Sequence, residues 1–117
     1  MLRFIVGGFL TLHAVAHLVP LMPSGRTTLL WGTIELGTGT AKALAFVWLA
    51  AALAFLTAAV GVALRASWAA SVTGAAAILS AVLCLAWSPA AIAGLVIDLV
   101  ILVGLLGSTE LFSARPR

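Results

Sequence analysis

Hydrophobic residues fill four long runs of this chain, and polar or helix-breaking residues separate the runs. A helix needs roughly 20 apolar residues to cross a hydrocarbon core about 30 Å thick. The four runs cover residues 2–19, 41–64, 67–87 and 89–107. The first stops at Pro20, and the fourth opens with Ser88 as a helix cap and Pro89 at the first helical position. This pattern predicts an all-α membrane protein, a bundle of four transmembrane helices in one domain, residues 1–117.

The connections between the runs predict how the helices pack. Arg65 and Ala66 alone join the second run to the third, and Ser88 alone joins the third to the fourth. Helices joined so tightly are antiparallel neighbours. The first run is too long for the apolar part of a signal peptide and no small-x-small cleavage site follows it, so we expect a retained helix.

The loop at residues 20–40 is the only long connection. In its segment 28–36, Leu30, Trp31 and Ile34 can share one side of a helix. Such a mildly amphipathic segment predicts a short interfacial helix lying on the membrane surface.

Composition places these apolar runs in a membrane. The chain is 64% hydrophobic and 8% charged, with a mean hydropathy of +1.29, whereas soluble proteins are about 25% charged. The net charge of +3 comes from basic residues that lie at the ends of the runs, not on one face, so we expect no nucleic-acid partner. These residues are Arg3, Arg26, Lys42, Arg65, Arg115 and Arg117.

The basic residues also predict an orientation. With four spans, Arg3, Arg65, Arg115 and Arg117 share one side, against Arg26 and Lys42 on the other. Positively charged loops stay in the cytoplasm. We therefore expect a multi-pass protein of the bacterial inner membrane with both termini cytoplasmic.

Three ionisable side chains lie inside the predicted spans. His13 and His17 share one face of the first helix, because they are four residues apart. A charge at mid-bilayer costs about 2.5–3.5 kcal/mol, so such residues face the bundle interior and find partners. His13 lies ten residues after Arg3, and Asp98 ten residues before Ser108. Both are thus about 15 Å from the same end, so if the first and fourth helices touch, a hydrogen bond between His13 and Asp98 would satisfy both groups.

Hydroxyl groups extend this predicted polar centre. Ser80 in the third run falls at a similar depth, and Thr11, Thr57 and Thr73 offer further hydroxyls. The single cysteine, Cys84, lies deep in an apolar run and is expected to act as a small hydrophobe.

Several roles fit this centre. As a ligand or cofactor site, it would use His13, His17, Asp98 and Ser80 to hold a haem, a quinone, a lipid or a metal. Two histidines and a carboxylate match the ligands of zinc or non-haem iron. One haem cannot take both histidines axially, because axial ligands approach from opposite faces. The alternatives are a proton-coupled small transporter working as a dimer and a purely structural membrane subunit.

The sequence leaves open whether the chain is an enzyme. It contains no G-x-S-x-G, phosphate-binding glycine loop, CxxC pair or H-E-x-x-H motif. Any catalysis would therefore take place inside the bundle.

One motif resembles a known group. Residues 12–18 read L-H-A-V-A-H-L, and W-L-A-A at 48–51 and I-D-L-V-I-L at 97–102 follow. This combination resembles small uncharacterised bacterial four-helix membrane proteins with L-H-x-x-x-H-L in the first helix, which are similar to the DoxX-like group. Some members of that group are linked to quinone-dependent oxidation. The resemblance implies a four-helix fold and marks His13 and His17, and it is consistent with a homo-oligomer or an accessory subunit of a membrane redox complex.

Overall fold

A computed structural model describes residues 1–18, 26–29, 32–35, 37–87 and 91–107. The described part of the chain contains four helices and one two-stranded hairpin. In chain order these are α1 (Leu2–Ala16), β1 (Arg26–Leu29), β2 (Gly32–Glu35), α2 (Thr38–Leu64), α3 (Ala69–Ala86) and α4 (Ile92–Gly107).

The four predicted helices are present, but they differ in length. Helices α2 and α3, with 27 and 18 residues, are long and apolar enough to cross a membrane, whereas α1 and α4 are shorter apolar helices. Helix α1 ends at Ala16, and His17 continues it with helical backbone angles. Helix α4 begins at Ile92, and the predicted cap at Ser88 and Pro89 lies outside the described residues.

The prediction of an interfacial helix at residues 28–36 is wrong, because the described residues 28–29 and 32–35 lie in two antiparallel strands; Leu30 and Trp31 lie outside the described residues. Arg26 pairs with Glu35 and Leu29 with Gly32. The sequence offers a reason: Thr27, Thr28, Thr33 and Ile34 are β-branched, and β-branched residues favour extended backbone. Two residues separate the strands, which is the commonest hairpin loop length.

Each helix packs against the next one in the chain, and the second, third and fourth helices are neighbours as predicted. Between α1 and α2, Gly7 lies against the carbonyl oxygen of Ala59, and the ring of His17 lies 5.2 Å from that of Trp48. Residue numbers therefore rise on one helix as they fall on the other. The same holds between α3 and α4, where Cys84 lies against Gly94 and Gly74 faces Leu105.

The turn from α2 to α3 is closed by backbone hydrogen bonds. Arg65 takes the left-handed conformation, with φ 55° and ψ 41°. The amide of Ala66 then donates to the carbonyl of Gly61 over 2.9 Å. This is the bond of a Schellman motif, which satisfies a helix carbonyl that would otherwise be unpaired. The two long helices can therefore reverse direction within a few residues.

Two buried apolar clusters form the core of the bundle. The larger joins α1, α2 and α3, and the smaller joins α2 and α3 near Trp87. The larger consists of Leu10, Ala14, Phe55, Ala58, Ala59, Val62, Ala69, Ala76 and Ala77. The smaller consists of Trp48, Ala51, Leu83 and Cys84. Most members are alanines, and small side chains let helices approach closely.

Helix α4 is held differently from the others. Asp98 is its only fully buried residue. Large apolar side chains on this helix point outward, among them Val96, Leu99 and Val103, each more than half exposed. The position of α4 therefore depends on its close contact with α3 and on the bonds of Asp98.

We expect Gly94→Ala to separate α4 from α3. A β-carbon at Gly94 would come within 2.8 Å of the Cys84 sulfur, and overpacking of this kind typically costs about 1–3 kcal/mol. Thermal unfolding in mild detergent should show the loss. Gly104→Ala, in the same helix, is the matched control, because nothing lies within 4 Å of its added carbon. Equal stability of the two variants would contradict the close contact.

Candidate functional site

A polar cluster lies inside this apolar bundle. Its members are His13 and His17 from α1 and the turn after it, Ser80 from α3, and Asp98 from α4. Asp98 and Ser80 are 0% exposed, and the two histidines are 6% and 3% exposed. We call these four residues the polar centre. Polar groups buried in this way require hydrogen-bond partners.

Hydrogen bonds join the four side chains into one chain. The Ser80 hydroxyl donates to Asp98 Oδ2 over 2.5 Å. Since a hydroxyl has one hydrogen, Ser80 Oγ must accept from His17 Nε2, which lies 2.9 Å away. His13 Nε2 lies 2.9 Å from Asp98 Oδ1 and donates to it when the carboxylate is ionised. Hydrogen bonds therefore link the side chains of His17, Ser80, Asp98 and His13 in that order.

Local structure explains how these residues meet. His13 lies on α1 and His17 follows its end with helical backbone angles, one turn further on, so both imidazoles point to the same side. Antiparallel packing of α3 and α4 brings Ser80 level with Asp98. The hydrogen bond predicted between His13 and Asp98 is present, and Ser80 lies where its depth predicts. Binding of a cofactor by these residues stays a prediction.

Aromatic rings surround the two histidines. Phe55 contacts both, with its ring centre 4.7 Å from that of His13 and 5.5 Å from that of His17. The imidazoles also contact each other edge to face at 4.8 Å. Trp48 packs against His17 and, at 5.7 Å, against Trp87. These contacts fix the planes of the imidazole rings and hence the directions of their nitrogen atoms.

Sequence reasoning did not assign Phe55 or Trp48 to the site. A signal was available, because the two residues are seven apart on α2 and so share one helical face. The prediction for Cys84 is incomplete in a similar way. It is buried as a small hydrophobe would be, but its sulfur also lies 3.9 Å from Ser80 Oγ, at the edge of the polar centre.

The three threonines do not extend the polar centre. Each hydroxyl donates to the backbone carbonyl four residues earlier in its own helix: Thr11 to Gly7, Thr57 to Leu53 and Thr73 to Ala69. Threonine in a helix commonly satisfies its hydroxyl in this way. The expectation that they contribute to the centre is therefore wrong.

Trp48 carries an unsatisfied donor. Its indole nitrogen is buried and has no hydrogen-bond partner in the part of the chain that the structure describes. A buried donor without a partner costs about 1–3 kcal/mol. This donor lies on a residue that touches His17, so the wall of the polar centre includes a group that an external acceptor could satisfy.

An apolar groove lies elsewhere, between α1 and α2. It encloses about 310 Å³, and no residue of the polar centre lines it. Its lining includes Phe4, Gly7, Gly8, Leu56, Ala59 and Val60. The groove therefore offers apolar contact but none of the ionisable groups that a catalytic or metal site requires.

The polar centre has two chemical capacities. One nitrogen from each histidine and one carboxylate oxygen lie within 4.8 Å of one another, close enough to converge on one ion. The hydrogen-bonded chain can also pass a proton from one side chain to the next.

The polypeptide matches no family model, no curated protein and no solved structure.

We expect Asp98→Ala to destabilise the protein by about 3–5 kcal/mol, the usual cost of breaking a buried charged pair. The reason is that His13 and Ser80 would both lose their partner in the apolar interior. Chemical unfolding in detergent measures the change. Thr57→Ala is the control, because its exposed hydroxyl bonds only to its own helix, and it should stay within about 0.5 kcal/mol of the parent. A small effect of Asp98→Ala would mean that the network contributes little to stability.

Proposed function

We propose that this chain is an integral membrane protein that crosses the bilayer four times and binds a small ligand or cofactor at the polar centre. The observation that carries the proposal is the buried network of two histidines, a serine and an aspartate. Ionisable residues at such positions are rare in membrane helices and usually functional.

The apolar exterior supports the membrane assignment. All four helices expose large apolar side chains, such as Phe9 on α1, Phe46 on α2, Ile78 on α3 and Val100 on α4. A soluble monomer rarely exposes contiguous apolar surface of this extent. Helices α1 and α4 are shorter than α2, and a bilayer accommodates short helices by local thinning or through flanking residues.

We expect both termini in the cytoplasm, because Arg3, Arg65, Arg115 and Arg117 would then lie on the inner side. Green fluorescent protein fused after Arg117 should fluoresce, and alkaline phosphatase fused there should be inactive. The control is alkaline phosphatase fused after Gly37, beyond α1 alone, which should be active. The reverse pattern would contradict this orientation.

The unsatisfied donor of Trp48 supports a ligand over a purely structural role. Among the described residues the buried indole N–H of Trp48 has no hydrogen-bond partner, and the Trp48 ring lies 5.2 Å from that of His17; a ligand with an acceptor group there would satisfy this donor. The sequence resemblance to DoxX-like proteins marks His13 and His17 without supplying an activity, and the chain would act as a homo-oligomer or as an accessory subunit of a membrane redox complex. Quinone, haem, lipid and metal remain the candidate ligands.

Proton-coupled transport is a second candidate function. The observation that favours it is the unbroken hydrogen-bonded chain from His17 to His13, which contains three titratable groups. A dimer of such bundles would transport its substrate in exchange for protons. Substrate-driven proton release that disappears in Asp98→Asn would favour this candidate.

Native mass spectrometry of the protein released from mild detergent, with no ligand added, tests the proposed function. We expect a bound mass that matches a haem, a quinone, a lipid or a metal ion. His13→Ala and His17→Ala should lose that mass and keep the helical circular dichroism, because each removes one nitrogen donor from the polar centre.

Thr11→Ala is the matched control, since its hydroxyl bonds only to the carbonyl of Gly7. It should retain the bound mass. A wild-type protein that carries no additional mass would contradict binding of a tightly held ligand. In that case a loss of thermal stability in each histidine variant would favour the structural subunit.

A further inference from the structure

We propose that the polar centre binds a divalent transition-metal ion, of the zinc or iron(II) class, through His13 Nε2, His17 Nε2 and a carboxylate oxygen of Asp98. The inference rests on the proposed function and narrows it, because it names the class of ligand that this centre takes.

The spacing of the donor atoms suits such an ion. Ligand atoms about 2.1 Å from a tetrahedral zinc ion lie about 3.4 Å from one another. His13 Nε2 and Asp98 Oδ1 are 2.9 Å apart, and one ring nitrogen of each histidine and a carboxylate oxygen of Asp98 fall within 4.8 Å of one another. If the His17 ring moved away from the Ser80 hydroxyl and towards Asp98, the three donor atoms would lie at similar distances from one another. The donors thus already lie near the spacing that a shared ion requires.

The donor types select the class of metal. Two of the three donors are imidazole nitrogens, which suit zinc, iron, copper and nickel, whereas calcium and magnesium prefer oxygen ligands. Two histidines and one carboxylate with free positions are also the arrangement of non-haem iron(II) sites. A buried carboxylate further favours a cation, because each charge lowers the cost of burying the other.

Neighbouring residues already hold the donors in place. The Ser80 hydroxyl binds Asp98 Oδ2, which leaves Oδ1 facing His13. Phe55 packs on both imidazole rings. In metal sites, partners that orient the ligands change affinity by about 10- to 100-fold. Ser80 would therefore act as a positioning residue and would not itself bind the ion.

Metal binding would replace hydrogen bonds with coordination bonds. In the hydrogen-bonded chain both histidines donate from Nε2, and these hydrogens occupy the space between the donors. Each imidazole coordinates as the neutral ring with Nε2 free of hydrogen. The metal-free chain and the metal-bound centre are thus two alternative states of the same four residues.

Titration of the purified full-length protein with Co²⁺, followed by its displacement with Zn²⁺, tests the proposal. Co²⁺ reports its ligands through its visible absorption. We expect one equivalent per chain, displaced by Zn²⁺. His13→Ala and Asp98→Asn should each weaken binding by more than about 100-fold, because each removes a ligand and not merely an orienting partner. Ser80→Ala should keep the stoichiometry and weaken binding by about 10- to 100-fold.

Cys84→Ala is the matched control, since Cys84 lies at the edge of the centre but is no ligand in this proposal. It should bind Co²⁺ as the parent does, and a loss of binding in this variant would overturn the ligand set.

A measurement on the wild-type protein alone is also needed, because the variants could fail to bind metal simply by failing to fold. The electron paramagnetic resonance spectrum of the Cu²⁺-loaded protein should show coupling to two imidazole nitrogens, and coupling to fewer would overturn the proposal. A protein that binds no metal but carries an organic mass in native mass spectrometry would refute this inference and leave the proposed function intact. Absence of both would refute both.

Discussion

The arrangement of the helices depends on the two hydrogen bonds that the Asp98 carboxylate accepts. Its two oxygens bind His13 from α1 and Ser80 from α3, and through Ser80 it connects to His17. Helix α4 has no other fully buried side chain. In an apolar environment the alternative to these bonds is an unpaired charge, so the network constrains the arrangement of three helices at once.

Such a network forms only because the helices approach closely. Alanines make up most of the larger core cluster around Phe55, and Gly94 lets Cys84 lie directly against α4. A larger residue at Gly94 would move Asp98, one turn away on the same face, from Ser80. The small residues therefore matter less for the apolar area they bury than for the short distances they permit between polar groups on different helices.

Much of this arrangement can be predicted from the sequence. Helix number, antiparallel order and the common level of His13, Ser80 and Asp98 follow from the length of the apolar runs and the rise per residue. Other features depend on tertiary contacts. Ala50, Ala54 and Ala58 recur every four residues on α2, yet Ala58 is buried, Ala54 is partly buried against the larger core cluster and Ala50 is exposed. The threonine-rich loop forms strands because β-branched side chains outweigh a weak amphipathic pattern.

Structural and binding roles of the polar centre are not exclusive. The bonds that hold α4 are made by the same nitrogen and oxygen atoms that would coordinate an ion. A ligand that takes His17 from Ser80 must therefore supply an equivalent bond, or the buried hydroxyl loses one of its partners. In the proposed metal-bound state, Ser80 would keep its bond to Asp98 and lose the one to His17, and the coordination bonds of the ion would have to offset that loss. Rearranging a satisfied network costs free energy and weakens binding by that amount, so a ligand that binds there needs strong, directional bonds rather than purely apolar contact.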